Sequence, residues 1–349
     1  MNRKHGLAVA STFFALCAAE LLLRGPLRPE LTETRDMAWQ AQTRGMHIRL
    51  HQPDPRLIYV PRPNAAVEMD YGRAAFNAQQ MRRSGTVPLQ PERIRIAMIG
   101  DSLVWGDLLA EADTLPAQLE TRMGVEVLNF GVTGYDTVQQ AAWYRRHVRD
   151  FHPDVVVVVY CLNDTQIRSN PFSVYADKDE RSRAQAEREW LQQVAPLRNE
   201  TISVQWFRER GGPGIQLFAA VRHAFRWTRL FVLPGGYIDE YLLTARSPER
   251  FARVRGALTD LGEAIQADGA RPVLVISPAL YWWHRYQWDE IHDAVRAVAE
   301  DAGFEVIDPL EVWRGGDPAP YRFPGDNLHY TPYGAEQLAE IIAQRLREG

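Results

Sequence analysis

From Arg93 onward, short runs of Val and Ile alternate with helical stretches, and this rhythm is what most constrains the fold. Five runs read as strands: Ile94–Ile99, Val125–Phe130, Val155–Tyr160, Pro272–Ser277 and Phe304–Ile307. Each is apolar without strict polar alternation, the pattern of parallel strands covered on both faces. Helical stretches follow them. One opens at Asp113-Thr114 with Pro116 in its first turn, one covers about 137–150, and one runs from about Pro332 to Arg347. The alternation predicts an α/β domain over 93–349, a doubly wound, five-stranded parallel sheet. In such sheets chemistry gathers beyond the carboxyl ends of the strands. Residues 165–270 interrupt the rhythm between the third and fourth strands. The charged segment Asp177–Gln193 and a stretch around 246–268 read as helical, so this is taken as a helical insertion over the active-site face. Both a pocket-shaping role and a scaffold role remain open for it.

Composition narrows the classes of function. The chain is 46% hydrophobic, enough for a substantial core, and its formal net charge of -4 disfavours a nucleic-acid partner. The two cysteines, Cys17 and Cys161, lie far apart in apolar runs, which fits neither a disulfide framework nor a Cys-based metal site. Residues 25–92 are rich in Pro and Arg and read as a linker plus a small cap, in extended chain with turns.

At the N-terminus, Arg3 and Lys4 precede an apolar run over 7–23, which is followed by Arg24. Seventeen residues is the lower edge of a membrane-spanning helix. A basic start and apolar middle also suit a secretory signal. Residues 1–24 are read as an uncleaved single-pass anchor ahead of a cleaved signal, with the catalytic domain on the outer, periplasmic side. Glu20 near the end of the run would reach the interface.

Two short segments carry the chemistry. Gly100-Asp101-Ser102 follows the first strand directly, where a nucleophilic Ser could stand on a tight turn with a helix N-terminus behind it. A strand-ending turn with a capping Ser is the plainer reading. Asp326 and His329 follow the fifth strand just before the last helix, and a carboxylate three residues before a His can orient it as a base. Asp289 and His292 have the same spacing but lie within an expected helix, where they read as a routine surface contact. The aromatic run Tyr281–Trp288 beyond the fourth strand suits either a wall for a sugar or acyl chain, or core packing.

With these segments in order, the chain resembles the SGNH (GDSL) hydrolase superfamily, in its membrane-anchored bacterial envelope form. Gly100-Asp101-Ser102 resembles the first family block, Asn129 to Gly134 the second, Leu162-Asn163-Asp164 the third and Asp326 to His329 the last. Cys161-Leu162 stands where the family usually has a glycine. The resemblance implies a flavodoxin-like sheet, a Ser102–His329–Asp326 triad, and an oxyanion hole from the N–H groups of Ser102 and Gly134 with the Asn163 side chain. Gly131 is the alternative to Gly134, and Asp101 is a buttress of the turn. No cofactor or metal is implied. The leading reading is a serine esterase removing O-acyl groups, acetyl among them, from an envelope glycan. An O-acyltransferase with the same triad is the second, and a non-catalytic glycan-binding or assembly protein the third.

Overall fold

The five valines from Val155 form the middle of a parallel sheet. A computed structural model of the chain describes residues 49–165 and 245–348, apart from positions 55, 70, 282, 324, 325 and 327. The sheet comprises β5 (Arg95–Gly100), β6 (Glu126–Asn129), β7 (Val155–Cys161), β8 (Arg271–Ser277) and β9 (Glu305–Ile307), in the order β6-β5-β7-β8-β9. All four pairings are parallel. Every residue of β5 and six of seven in β7 are buried, as strands covered on both faces require. Each fully buried Val contributes about 1.5–3 kcal/mol.

The covering helices pack among themselves in two groups. α2 (Leu115–Met123) packs with α7 (Pro332–Glu348), held partly by Arg122, which pairs with Glu336 and Glu340 at 2.9 Å each. The other group runs in succession through α3 (Thr137–Arg146), α4 (Pro248–Ala267) and α5 (Asp289–Asp301). The doubly wound sheet is therefore as the sequence implied. Of the stretch at about 165–270, α4 is described, and the segment Asp177–Gln193 lies outside the described residues. So does the apolar run 7–23. Among the described residues no helix is long and apolar enough to cross a membrane.

Strand edges move by a residue in ways that packing explains. The sequence places Ile94 at the start of β5, yet Ile94 is 58% exposed and Arg95 is fully buried. Arg95 tolerates burial because its donors are used. Nε meets Glu126 at 2.5 Å, while the two terminal nitrogens donate to the carbonyls of Leu89, Phe151 and Pro88.

Residues 51–75 hold two ribbons that the sequence shows only as extended chain. β1 (His51–Asp54) pairs with β2 (Ile58–Pro61), and β3 (Ala66–Met69) with β4 (Gly72–Ala75), both antiparallel. The first ribbon is pinned to the loop after β6. Tyr59 donates to the Thr133 carbonyl (2.7 Å), and Tyr135 donates to that of Tyr59 (2.6 Å). Near the second ribbon, Phe76 packs on Trp105 with ring centroids 4.2 Å apart.

The Arg95–Glu126 pair yields a stability test. Arg95→Ala leaves a buried carboxylate and three carbonyls without their donor, and should cost about 3–5 kcal/mol in denaturant unfolding. A loss below about 1 kcal/mol would show that the clamp is dispensable.

Candidate active site

The end of β5 turns directly into a short helix. A Cβ on Gly100 would fall 2.5 Å from Val104 Cγ2 and 3.1 Å from the Val159 carbonyl, so the strand can pass directly into α1 (Ser102–Trp105) only with glycine there. Asp101 caps α1: its Oδ1 accepts from the Leu103 N–H at 3.0 Å. Ser102 is thereby fixed as the first helical residue. β5 lies between β6 and β7, so Ser102 stands where the strand order reverses, the usual crevice of such sheets.

Asp326 and His329 arrive from the far edge of the sheet, on the loop between β9 and α7. Asp326 Oδ1 accepts the N–H groups of Leu328 (2.9 Å) and His329 (3.0 Å), which curls the loop around the carboxylate. Its Oδ2 faces His329 Nδ1 at 2.7 Å, and His329 Nε2 faces Ser102 Oγ at 2.9 Å. The loop is anchored on β8 through the Ser277 and Tyr330 hydroxyls, 2.7 Å apart. Arg322 adds a hydrogen bond to the Asp326 carbonyl at 3.1 Å.

The Asp289–His292 pair departs from its sequence reading. Asp289 pairs with Arg314, whereas His292 is buried, with Nδ1 2.8 Å from Asp308 Oδ2 and Nε2 2.8 Å from the Tyr286 hydroxyl. It is a partnered core histidine rather than a surface contact. The i, i+3 spacing concealed this because its partner lies sixteen residues away.

The loop after β6 separates the two candidate oxyanion glycines. Gly131 packs against α1, where a Cβ would sit 2.1 Å from the Trp105 nitrogen, and its N–H already donates to Asn129 Oδ1 at 3.0 Å. Gly134 adopts φ +82°, a conformation suited to glycine, and is the better candidate to turn an N–H toward Ser102. Asn163 is buried in the turn Leu162–Thr165 at the end of β7. Its Oδ1 has no partner among the described residues.

Nothing in the sequence marks Asp107 or Arg82, and Thr133 is marked only by its place in the second block. Arg82 is buried and donates to the carbonyls of Trp105 and Gly106, both at 2.6 Å, and to that of Leu109. Thr133 donates its hydroxyl to Asp107 Oδ1 at 3.0 Å, tying the β6 loop to the turn that follows α1. Asp107 Oδ2 lies 3.9 Å from His329 Nε2. A lone acid following a glycine carries no pattern that would have singled it out.

These carboxylates set the charge of the site. Burial alone would lower the proton affinity of His329, but Asp326, Asp107 and Asp101 outweigh it and lift its pKa to about 9. Burial would raise Asp326, yet the His329 charge and the hydrogen bonds it receives hold it at about 2. Burial pushes Asp107 up to about 6, against the pull of His329, the Thr133 hydroxyl and Arg82. The arrangement can pass a proton from a Ser hydroxyl to an imidazole whose other nitrogen is held by a carboxylate. Among the described residues no group of three His, Cys, Asp or Glu side chains could hold a metal ion.

The aromatic run divides between its two readings. Trp283, Tyr286 and Trp288 are buried, and Trp283 stacks on Trp313 with centroids 5.3 Å apart. Tyr281 and His284 instead line a cavity of about 400 Å³ with Gly315, Asp317 and Arg322. The Arg322 guanidinium lies 5.4 Å from the Tyr281 ring centroid. Trp282 lies outside the described residues.

The GDSL-like Lipase/Acylhydrolase family model matches residues 98–337. Comparison with curated proteins found no match. Among solved structures, the chain is similar to a lipase/acylhydrolase from Enterococcus faecalis, at 15% identity and a TM-score of 0.42, over 73% of this chain and 96% of that one. It is also similar to an acetylxylan esterase from Geobacillus stearothermophilus, at 14% identity and a TM-score of 0.41, over 74% and 96%. Neither likeness bears on substrate.

An NMR titration of the His329 imidazole should show its charge lost near pH 9. A midpoint at or below 6.5 would contradict the carboxylate cage. Because the folded-state pKa is raised, this group's contribution to stability is full below about 6.5 and fades as pH rises through 9.

Proposed function

The chain belongs to the GDSL-like lipase/acylhydrolase family and is a hydrolase of ester bonds; we propose that it works through an acyl-enzyme on Ser102, with His329 as base and Asp326 as its orienter. The observation that carries this reading is the unbroken chain Ser102 Oγ–His329 Nε2 (2.9 Å) and His329 Nδ1–Asp326 Oδ2 (2.7 Å). Ser102 Oγ forms a bond to the ester carbonyl carbon as its proton passes to Nε2, and the carbonyl electron pair moves onto oxygen. That oxyanion is met by the N–H groups of Ser102 and Gly134 and the side-chain amide of Asn163, each such donor lowering the barrier by about 3–4 kcal/mol. Collapse expels the alcohol oxygen, which takes the proton from Nε2. Water then repeats the sequence and frees the acid. Transfer to a hydroxyl acceptor would use the same intermediate, and the family's hydrolytic chemistry puts water first.

The substrate proposed is an O-acylated, including O-acetylated, glycan of the cell envelope. The cavity beside the triad loop supports it, since Tyr281 offers a face for a sugar ring and Arg322 and His284 offer donors to hydroxyl oxygens. The apolar run 7–23 with its basic start supports an anchored domain outside the cytoplasm.

Three measurements test these statements. Ser102→Ala should lower ester turnover about a thousandfold or more with the fold intact, and retained activity would refute the nucleophile assignment. Tyr281→Ala should raise KM for an acetylated oligosaccharide while leaving p-nitrophenyl acetate hydrolysis unchanged. Equal effects on both would remove the cavity from glycan binding. Protease added to spheroplasts should digest the catalytic domain, and protection there would overturn the envelope location.

A further inference from the structure

Asp107 is a buried carboxylate to which the acyl-transfer scheme gives no task. It follows Gly106, the residue that closes α1, and its side chain is 2% exposed. Oδ1 accepts the Thr133 hydroxyl, but Oδ2 accepts no hydrogen bond among the described residues. A buried anionic oxygen with no donor is costly unless an opposite charge stands near it. The nearest site for such a charge is His329 Nε2 at 3.9 Å, the atom that gains the serine proton. With neutral imidazole, Oδ2 faces the lone pair that accepts from Ser102. Once the proton has moved, it faces a cation. The interaction is therefore stronger after proton transfer than before, the condition for lowering a barrier.

Resting on the triad reading, we propose that Asp107 is a positioning residue for the esterase reaction: a second carboxylate, on the Nε2 side of His329, that steadies the imidazolium which Asp326 steadies from the Nδ1 side. The other charged and titratable groups around Asp107 do not replace it. Asp101, before α1, adds a further anion behind Ser102. Arg82 attracts Asp107, but its two terminal nitrogens donate to the carbonyls of Trp105, Gly106 and Leu109, and its Nε makes no hydrogen bond to Asp107 or to any other of the described residues. Tyr71, between β3 and β4, is kept neutral by burial and by the Asp107 charge. Through Thr133, Asp107 also ties the loop carrying Gly134 to the turn carrying Ser102, so one side chain serves both base and oxyanion loop.

The test is the pH dependence of kcat/KM on a short-chain p-nitrophenyl ester for wild type, Asp107→Asn and Asp107→Glu. Asp107→Asn removes the charge and keeps an acceptor for Thr133. Its acid limb should move to lower pH by about one to three units, with a lower plateau. Asp107→Glu keeps the charge, and its limb should stay near the wild-type position even if its rate falls. An unmoved limb in Asp107→Asn, or an equal shift in both variants, would reduce Asp107 to a loop tie. Where a variant has too little activity to profile, the NMR midpoint of His329 should move the same way, and an unchanged midpoint overturns the proposal. Should Asp107→Asn not fold, the wild-type His329 resonances should still show a second, smaller step near pH 6 as Asp107 ionises, and a single step would count against it. The triad reading fails separately, by activity in Ser102→Ala.

Discussion

The contact between His329 Nε2 and Ser102 Oγ joins residues 227 apart, and most of the architecture can be read as what brings those two atoms together. One arrives on a turn with no slack, since Gly100 lies against both Val104 and the Val159 carbonyl. The other arrives on a loop coiled about its own carboxylate and fastened to β8 by the Tyr330–Ser277 contact. Both meet at the carboxyl edge of the sheet because parallel strands deliver every following loop to the same end. The sheet's burial on both faces makes that edge a rigid reference for the site.

A second layer of support comes from the segment before the sheet. Tyr59 donates to the Thr133 carbonyl and accepts at its own carbonyl from Tyr135, which holds the β6 loop from outside, while Arg82 gathers carbonyls at the end of α1 and beyond. The positions of Gly134 and Asp107 therefore depend on residues well ahead of Ser102 in the chain. Burial then gives the carboxylates their effect. Asp326, Asp107 and Asp101 surround one imidazole with little water to screen them, so their sum outweighs the desolvation that would otherwise discharge it.

How much of this was legible in the sequence depends on how local the cause is. The β7 valines and the strands around β8 and β9 are visible because a parallel strand buried on both faces must be apolar throughout. The start of β5 was set one residue early because apolarity favours Ile94, whereas Glu126 and the carbonyls of Leu89, Phe151 and Pro88 make the buried Arg95 guanidinium tolerable. The ribbons at 51–75 were hidden because their strands are four residues long, and prolines interrupt the pattern of the first. Ser102, Asp326 and His329 were legible as segments with the right order along an α/β sheet. His292 and Asp107 were not, since each acquires its meaning from a partner distant in sequence.

The central claim is that Ser102 is a nucleophile activated by His329, and mass spectrometry after treatment with a fluorophosphonate tests it most directly. The account requires a single covalent adduct on Ser102 that forms in wild type and is strongly slowed in His329→Ala. An adduct on another residue, or one forming equally fast without His329, would contradict it.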